Sequence, residues 1–323
     1  MLSAVVNYED GSGGHMSTLH QTATTGQQIL VNLARFAEQP AIADGSVSWT
    51  YREVAEATSR MIAVFKSLGL RSGDALAILA SNRAEVLPAM LAANLMGMRY
   101  TPLHPLASTE DLSFIVADAQ IDVLIVEPEK FGERGTAIRT GVATLRHLLS
   151  FGPMNGAVDI RDAALRTEPA PLLDESDAAG IAAVVYTGGT TGRSKGVVHT
   201  HRSIQAASLL MTSDWDWPAQ VRFLAVTPVS HSAGSMLRPI MLRGGYTRLM
   251  QGFDVERFCR TVEQERITCT LLVPTLLYAL LDFPGRTNYD LSSLQTVVYG
   301  AAPMSPARLR EAIEVFGPIF VQL

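Results

Sequence analysis

The chain has 323 residues, of which 47% are hydrophobic and 18% charged, and its 26 Lys+Arg against 31 Asp+Glu give a formal net charge of −5. This composition is ordinary for a globular protein with room for one large or two smaller α/β units. It lacks the basic excess of a nucleic-acid-binding protein. Two cysteines cannot form a disulfide framework, so a reducing cytoplasm is the expected location. No apolar run approaches the roughly 20 residues that span a bilayer, so no transmembrane segment is expected.

The chain is predicted to divide into a tail and two subdomains. Residues 1–27 are rich in Gly, Ser and Thr and are predicted to be a flexible tail. Residues 28–178 are predicted to form a first α/β subdomain, and residues 179–323 a second one. The boundary is placed there because residues 151–178 contain several prolines, glycines and acids, which are typical of a linker or a surface excursion.

The predicted elements alternate between helices and short strands. Apolar residues at helical spacing predict the helices, one of which begins with a Thr50–Glu53 capping box, and short apolar runs predict the strands. In chain order these are a helix at 29–39, a strand and turn at 41–48, a helix at 50–68, a strand at 75–80, a helix at 84–96, a strand at 100–103, a helix at 112–119, strands at 123–126 and 181–186, a helix at 203–212, a strand at 223–227, a helix at 254–266, strands at 270–273 and 296–298, and a helix at 305–315. Strands that are apolar on both faces and alternate with amphipathic helices are typical of mostly parallel sheets flanked by helices, so the fold class is α/β.

A glycine-rich loop after the apolar strand 181–186 is the most informative segment. Glycines let backbone N–H groups approach an anion, threonine hydroxyls add donors, and a lysine brings a mobile positive charge. The loop residues are Thr187, Gly188, Gly189, Thr190, Thr191 and Gly192, followed by Lys195. The segment predicts a phosphate-binding loop in which Thr187 can face a magnesium ion; the alternative is a glycine-rich turn without a ligand.

The spacing of this loop excludes two common nucleotide-binding motifs. Arg193 and Ser194 separate Gly192 from Lys195, so the Gly-Lys-Ser/Thr tripeptide of a P-loop is absent. The dinucleotide motif G-x-G-x-x-G is absent from the sequence as well.

A pair of histidines follows the loop. His199 and His201 alternate as two metal ligands on one strand face would, but no third ligand lies nearby in the sequence. A junction between a strand and a helix, with Thr200 or Ser203 as the helix cap, is the favoured interpretation.

The segment Tyr186–Val197 resembles the signature loop of the adenylate-forming superfamily, which includes acyl-CoA synthetases, aryl-CoA ligases, firefly luciferase and peptide-synthetase adenylation domains. Gly188 stands where a serine or threonine is usual, and Ser194 where a proline is common. The resemblance covers residues 30–323, and its acyl-CoA synthetase branch fits best. Weaker motifs precede this loop, in the expected order, at 50–54, 68–74 and 96–103.

Two later segments resemble substrate-binding motifs of the same superfamily. Residues 227–234 resemble the P-x-x-H-x-x-G segment of acyl-CoA and aryl-CoA synthetases. This resemblance implies that His231 lies near the substrate carboxylate and that the small residues Ser232, Ala233 and Gly234 leave room for a chain or ring. The second segment, whose small residues would let adenine lie against the backbone, consists of Gly300, Ala301, Ala302 and Pro303. The alternatives are a structural histidine and an ordinary strand-to-helix turn.

The resemblance implies a two-step reaction. A carboxylate attacks the α-phosphate of ATP to give an acyl-adenylate and pyrophosphate, and the thiol of CoA then displaces AMP. The resemblance implies ATP, Mg²⁺ and CoA as cofactors and a fatty or aryl acid as substrate, with the CoA site mostly outside this chain. Lys195 and His231 would be catalytic, and Thr190, Thr191, Gly192 and Lys195 would hold the β- and γ-phosphates.

Several superfamily motifs have no counterpart up to Leu323: the Tyr-Gly-x-Thr-Glu motif, the ribose-binding aspartate, the hinge arginine and the C-terminal lysine. The chain is therefore expected to be the N-terminal part of the enzyme, without its C-terminal domain and with little or no ligase activity. Two other hypotheses stay open: a non-catalytic nucleotide-binding or interaction module, with a homodimer as one option, and an adenylation domain that loads a carrier protein.

Overall fold

The computed structural model of the protein describes residues 24–187 and 194–323. Its α-helices are α1 (Thr25–Arg35), α2 (Tyr51–Ser67), α3 (Val86–Leu95), α4 (Thr109–Asp118), α5 (Pro128–Gly141), α6 (Ile160–Arg166), α7 (His201–Asp214), α8 (Ser232–Leu242), α9 (Val255–Glu265), α10 (Pro274–Asp282) and α11 (Pro306–Phe316), with a 3₁₀ helix at Pro284–Asn288. Its strands are β1 (Pro40–Ala43), β2 (Ser48–Thr50), β3 (Ala75–Leu79), β4 (Arg99–Pro102), β5 (Val123–Val126), β6 (His147–Ser150), β7 (Val158–Asp159), β8 (Ile181–Thr187), β9 (Lys195–Thr200), β10 (Arg222–Ala225), β11 (Tyr246–Leu249), β12 (Cys269–Leu272), β13 (Thr296–Tyr299) and β14 (Phe320–Gln322).

The strands form two seven-stranded sheets. The first, here the β3 sheet, has the order β7-β6-β5-β3-β4-β8-β9, and the second, the β10 sheet, has the order β14-β13-β12-β10-β11-β1-β2. Every pair is parallel except β1–β2 and β8–β9, which are antiparallel and lie at sheet edges. The predicted α/β fold class, with mostly parallel sheets flanked by helices, is confirmed.

The two sheets and the helices between and outside them form five layers, which are held together by three apolar cores. The largest core lies between the two sheets and contains residues of both, such as Ile78 of β3 and Phe223 of β10, packed against α1, α2, α3 and α8. A second core joins the β3 sheet to α4 and α5, and a third joins the β10 sheet to α9, α10 and α11. Both sheets are therefore covered on both faces, which explains why their strands are apolar without alternation.

The sheets exchange strands across the predicted subdomain boundary. The early strands β1 and β2 belong to the β10 sheet, because β1 pairs with β11, and the later strands β8 and β9 belong to the β3 sheet, because β8 pairs with β4. Neither predicted range, 28–178 or 179–323, coincides with the strands of one sheet. The division of the chain into these two subdomains stays a prediction.

Two local predictions differ from the structure. The predicted tail ended at residue 27, whereas Thr24 is the buried cap of α1, and its side chain accepts a hydrogen bond from the Gln27 amide. The predicted linker 151–178 contains β7 and α6, and its Ala170 carbonyl accepts a hydrogen bond from Ser59 of α2. A two-residue strand and a seven-residue helix leave too short a pattern to detect.

Other local predictions are confirmed. The Thr50–Glu53 capping box is present at the start of α2, and Thr200 caps α7 by accepting a hydrogen bond from the Ser203 amide. Within the described ranges, no helix is long and apolar enough to cross a membrane.

The side chain of Asn82 joins the two sheets. It follows β3, is 5% exposed, and donates to the carbonyls of Thr227 and Met250, both at 3.0 Å, beyond the ends of β10 and β11. Its carbonyl oxygen accepts from the Val229 amide at 2.8 Å. The carboxyl ends of strands from both sheets are therefore held at one place.

We expect Asn82→Ala to lower the free energy of unfolding by about 2–3 kcal/mol, because it leaves buried backbone groups without partners. Urea denaturation measures this loss. The control is Asn288→Ala, at an exposed position, which is expected to change the value by less than about 0.5 kcal/mol. Equal effects of the two substitutions would contradict the bridging role of Asn82.

Candidate functional site

The candidate site lies where the carboxyl ends of strands from the two sheets meet. His104 follows β4 of the β3 sheet, and His231 follows β10 of the other sheet. Their rings pack edge to face with centroids 4.3 Å apart, so these two strand ends are in contact. Open α/β sheets bind ligands in the crevice outside the carboxyl ends of their strands.

The predicted phosphate loop connects β8 to β9 at this edge. Thr187, the last residue of β8, pairs with Lys195, the first residue of β9, and both are exposed. Directly opposed residues of an antiparallel pair project from the same face of the sheet. The Thr187 hydroxyl and the Lys195 ammonium group therefore project together. The remaining loop residues, Gly188, Gly189, Thr190, Thr191 and Gly192, lie outside the described residues, and their roles stay predictions.

Strand register brings this hairpin level with His104 and His231, called the histidine pair from here on. β4 and β8 are parallel neighbours with Tyr100 opposite Ala183, so His104 and Thr187, each four residues further on, lie at the same height. Neighbouring strands are about 4.8 Å apart. Tyr100 belongs to the core between the sheets and Leu103 to the outer core, so alternation places His104 on the inner face. The hairpin and the two imidazoles therefore share one face.

A tight turn positions His231. Its amide donates to the Pro228 carbonyl at 2.9 Å, and the Gly234 amide donates to the His231 carbonyl at 2.9 Å. Gly234 lies so close to the Val229 carbonyl that a Cβ at this position would overlap its oxygen. The spacing P-x-x-H-x-x-G is thus the spacing that this turn requires at the start of α8.

Burial determines the charge of the two imidazoles. Desolvation, with a smaller contribution from His104, lowers the pKa of His231 to about 4. Desolvation also lowers the pKa of His104. His231 is therefore neutral at pH 7 and can position a carboxylate through a hydrogen bond, while Lys195 brings the positive charge to the same face.

The small residues after His231 have packing roles. Ala233 is fully buried in the core between the sheets, so its methyl group faces that core. Gly234 is required by the turn described above. Ser232, the partly exposed first residue of α8, is the member of the three that remains beside the site. The predicted substrate-binding role of these three residues stays a prediction.

A second turn with small residues follows β13. Gly300 is buried, and a Cβ there would lie 2.8 Å from the Leu323 carbonyl oxygen. Ala301 has a φ of +64°, a strained backbone conformation for a residue with a side chain. Ala301, Ala302 and Pro303 are exposed. The turn therefore presents backbone and short side chains at the same sheet edge as His231, as an adenine-binding surface would; that role stays a prediction.

The described residues do not form a magnesium site by themselves. No group of three His, Cys, Asp or Glu side chains suited to a metal ion occurs among them. Mg²⁺ prefers carboxylates together with substrate phosphates, and in the part of the loop that the structure describes Thr187 offers one hydroxyl. The predicted metal contact of Thr187 stays a prediction.

Sequence reasoning missed His104 and Asn82. His104 directly follows the Pro102-Leu103 pair that was assigned to a strand, and Asn82 follows the β3 strand. The signal available was position, since polar residues just beyond the carboxyl ends of parallel strands are candidates for a site. The contact of His104 with His231 and the hydrogen bonds of Asn82 join residues far apart in the chain, so no local sequence pattern indicates them.

The fold, the hairpin and the histidine pair define a ligand-binding α/β protein of a known class: the chain belongs to the AMP-binding enzyme family, which it matches over residues 30–323. It is 38% identical to the medium/long-chain-fatty-acid–CoA ligase FadD8 of Mycobacterium tuberculosis, over 99% of this chain and 57% of that protein. It is 31% identical to a feruloyl-CoA synthase of an Amycolatopsis species, over 87% of this chain and 55% of that protein.

Solved structures are similar as well. The amide bond synthetase McbA of Marinactinospora thermotolerans superposes with a TM-score of 0.84 at 27% identity, over 93% of this chain and 59% of that one. The chain thus spans little more than half the length of the relatives it matches. The predicted membership of the adenylate-forming superfamily is confirmed.

Replacing Gly234 tests the turn. We expect Gly234→Ala to destabilise the fold by about 2–4 kcal/mol, because the added methyl group forces the Val229 carbonyl to move. The control is Gly141→Ala at the end of α5, where a Cβ would meet no atom within 4 Å and where alanine is expected to be neutral or stabilising. Thermal and urea unfolding compare the two variants; a Gly234→Ala protein as stable as Gly141→Ala would contradict the assignment.

The depressed pKa of His231 predicts acid sensitivity. The folded-state pKa is about 4, below the ordinary value of about 6.5, so the unfolded chain binds more protons as the pH falls through this window. This contribution is absent above about pH 7 and grows between about pH 6.5 and 4. Between pH 7 and 5 we expect the wild type to lose about 1–2 kcal/mol more stability than His231→Asn. Urea unfolding at several pH values tests this expectation. Above pH 7 the stability curves of the two proteins should run parallel. Curves that also stay parallel between pH 7 and 5 would refute the assignment.

Proposed function

We propose that this chain carries the ATP-binding and acid-binding part of an AMP-forming ligase that converts a fatty or aryl carboxylic acid into its CoA thioester. Its family and the acid–CoA ligases among its relatives support this reaction class. Because the chain spans little more than half of these relatives, the activity of the whole protein is part of the proposal.

One observation carries the proposal. The exposed Thr187–Lys195 pair and the His104–His231 pair lie on one face at the carboxyl ends of strands from both sheets. A cation and a hydroxyl suited to phosphate therefore stand beside neutral imidazoles suited to a carboxylate. That juxtaposition is what the joining of an acid to the α-phosphate of ATP requires.

The residues of this chain act through position and charge. In the first step, a carboxylate oxygen bonds to the α-phosphorus of ATP while the bond to pyrophosphate breaks. The Lys195 ammonium group stabilises the negative charge on the departing phosphates. Neutral His231, fixed by the turn and by the ring of His104, orients the attacking carboxylate without pairing with it as a cation. In the second step, the thiol of CoA attacks the acyl carbonyl and AMP leaves.

Lys195→Ala tests the phosphate assignment. We expect its affinity for ATP to fall at least tenfold, which corresponds to about 1.4 kcal/mol, while its affinity for AMP changes less than threefold, because AMP lacks the β- and γ-phosphates. Isothermal titration calorimetry measures both affinities.

The charge-matched control is Lys66→Ala on α2, where the ammonium group pairs with Glu175 at 2.6 Å. It is expected to bind ATP like the wild type. An unchanged affinity of Lys195→Ala for ATP, or an equal loss for ATP and AMP, would contradict the proposed role of Lys195.

A further inference from the structure

A chain of buried polar side chains lies behind the histidine pair. The His201 Nδ1 atom is 2.5 Å from Thr25 Oγ1, and the Thr25 hydroxyl donates to Asn94 Oδ1 at 3.3 Å. Arg238 Nη2 donates to the same Asn94 oxygen at 3.0 Å. The direction of the hydrogen bond between His201 Nδ1 and the Thr25 hydroxyl depends on the tautomer of the imidazole.

Three polar atoms of this cluster are buried and lack a hydrogen-bond partner among the described residues: Arg238 Nη1, Tyr100 Oη and His201 Nε2. Across residues 24–187 and 194–323, no carboxylate forms an ion pair with Arg238. Desolvation lowers the pKa of Arg238 to about 10, and burial raises that of Tyr100. Leaving a buried donor unpaired costs about 1–3 kcal/mol, and a charged one costs more, so these atoms would gain from a group that the described residues do not supply.

The cluster lies along α8, for which His231 is the N-cap residue. His231, Ser235 and Arg238 follow one another at a spacing of four and then three residues; Ser235 is exposed and the other two are partly exposed, while Ala233, Met236 and Leu237 pack into the core. This spacing defines one stripe of the helix, and the seven residue steps from His231 to Arg238 span about 10 Å. Tyr100 and His104 lie on the same inner face of β4. The stripe and the strand thus run from a histidine pair at one end to Arg238 and Tyr100 at the other.

The expected ligand group follows from charge. A buried guanidinium group without a carboxylate partner among the described residues favours an anion, and two of the unpaired atoms, Arg238 Nη1 and Tyr100 Oη, can donate to its oxygens. On the basis of the proposed function, we propose that the acyl chain of the substrate lies between α8 and β4, and that Arg238 and Tyr100 bind a second carboxylate at its far end. The preferred substrates are therefore dicarboxylic acids of medium length.

Calorimetric titration of the full chain tests this proposal. Octanedioate, decanedioate and dodecanedioate are each compared with the monocarboxylate of the same carbon number. At least one dicarboxylate is expected to bind at least tenfold more tightly than its monocarboxylate. Arg238→Met should abolish this preference through loss of dicarboxylate affinity alone, and Tyr100→Phe should reduce it severalfold. The control is Arg243→Met, which removes an exposed arginine just beyond the end of α8 and should leave the preference intact.

A stability measurement separates a binding role from a structural one. Without ligand, the melting temperature of Arg238→Met is expected to equal or exceed that of the wild type, because the substitution removes a buried charge that has no counter-ion among the described residues. A large loss of stability would indicate a structural role and overturn the proposal. Tyr100→Phe and Arg238→Lys give an independent test of the dicarboxylate preference, since the first removes one hydroxyl and the second keeps the charge.

The outcomes distinguish the two proposals. If monocarboxylates bind as tightly as dicarboxylates while ATP binding still depends on Lys195, the second carboxylate site is refuted and the proposed function stands. If ATP binding does not depend on Lys195 and no acid binds, both proposals fail.

Discussion

The amide of Asn82 occupies the point on which the geometry of the site depends. It lies beyond a strand of one sheet and bonds to backbone groups that follow two strands of the other. A carboxylate at this position has no donor and a hydroxyl has only one, whereas a primary amide has two donors and a carbonyl oxygen. Because those bonds are buried, the two sheets cannot separate at this edge without exposing several unpaired groups at once. Val229, which donates to Asn82, lies two residues before His231, so the bridge stands next to the contact between His104 and His231.

Burial gives the two ends of the site different electrostatic characters. The imidazoles at the strand ends are held neutral by desolvation, so the positive charge of the site comes from lysine and arginine. Lys195 stands exposed on the hairpin, where a mobile ammonium group can follow a phosphate. Arg238 stands in a partly buried position with a fixed hydrogen bond to Asn94. An exposed and a partly buried cation on either side of a neutral pair are suited to two different anions.

Local patterns predicted the elements well, and for identifiable reasons. The capping box at Thr50 and the uninterrupted apolar run of β5 are contained in a few residues, so both were found in the sequence. The pairing of β1 with β11 joins residues about two hundred positions apart, and no periodicity encodes it. The same limit applies to the site: the turn at His231 has a sequence motif, whereas its contact with His104 arises from the approach of two sheets.

The sequence could not predict the unpaired polar atoms around Arg238, for a further reason. In a sequence, an arginine on an amphipathic helix indicates a solvent-exposed face, and Tyr100 in a strand indicates a core. What makes them a candidate site is that the fold brings both to one place and that Arg238 Nη1 and Tyr100 Oη have no partner among the described residues. A protein selected for stability alone would fill such a place with apolar side chains, because a buried charge without a counter-ion is destabilising. Its presence behind the histidine pair is therefore best explained by a ligand that supplies the missing charge when it binds.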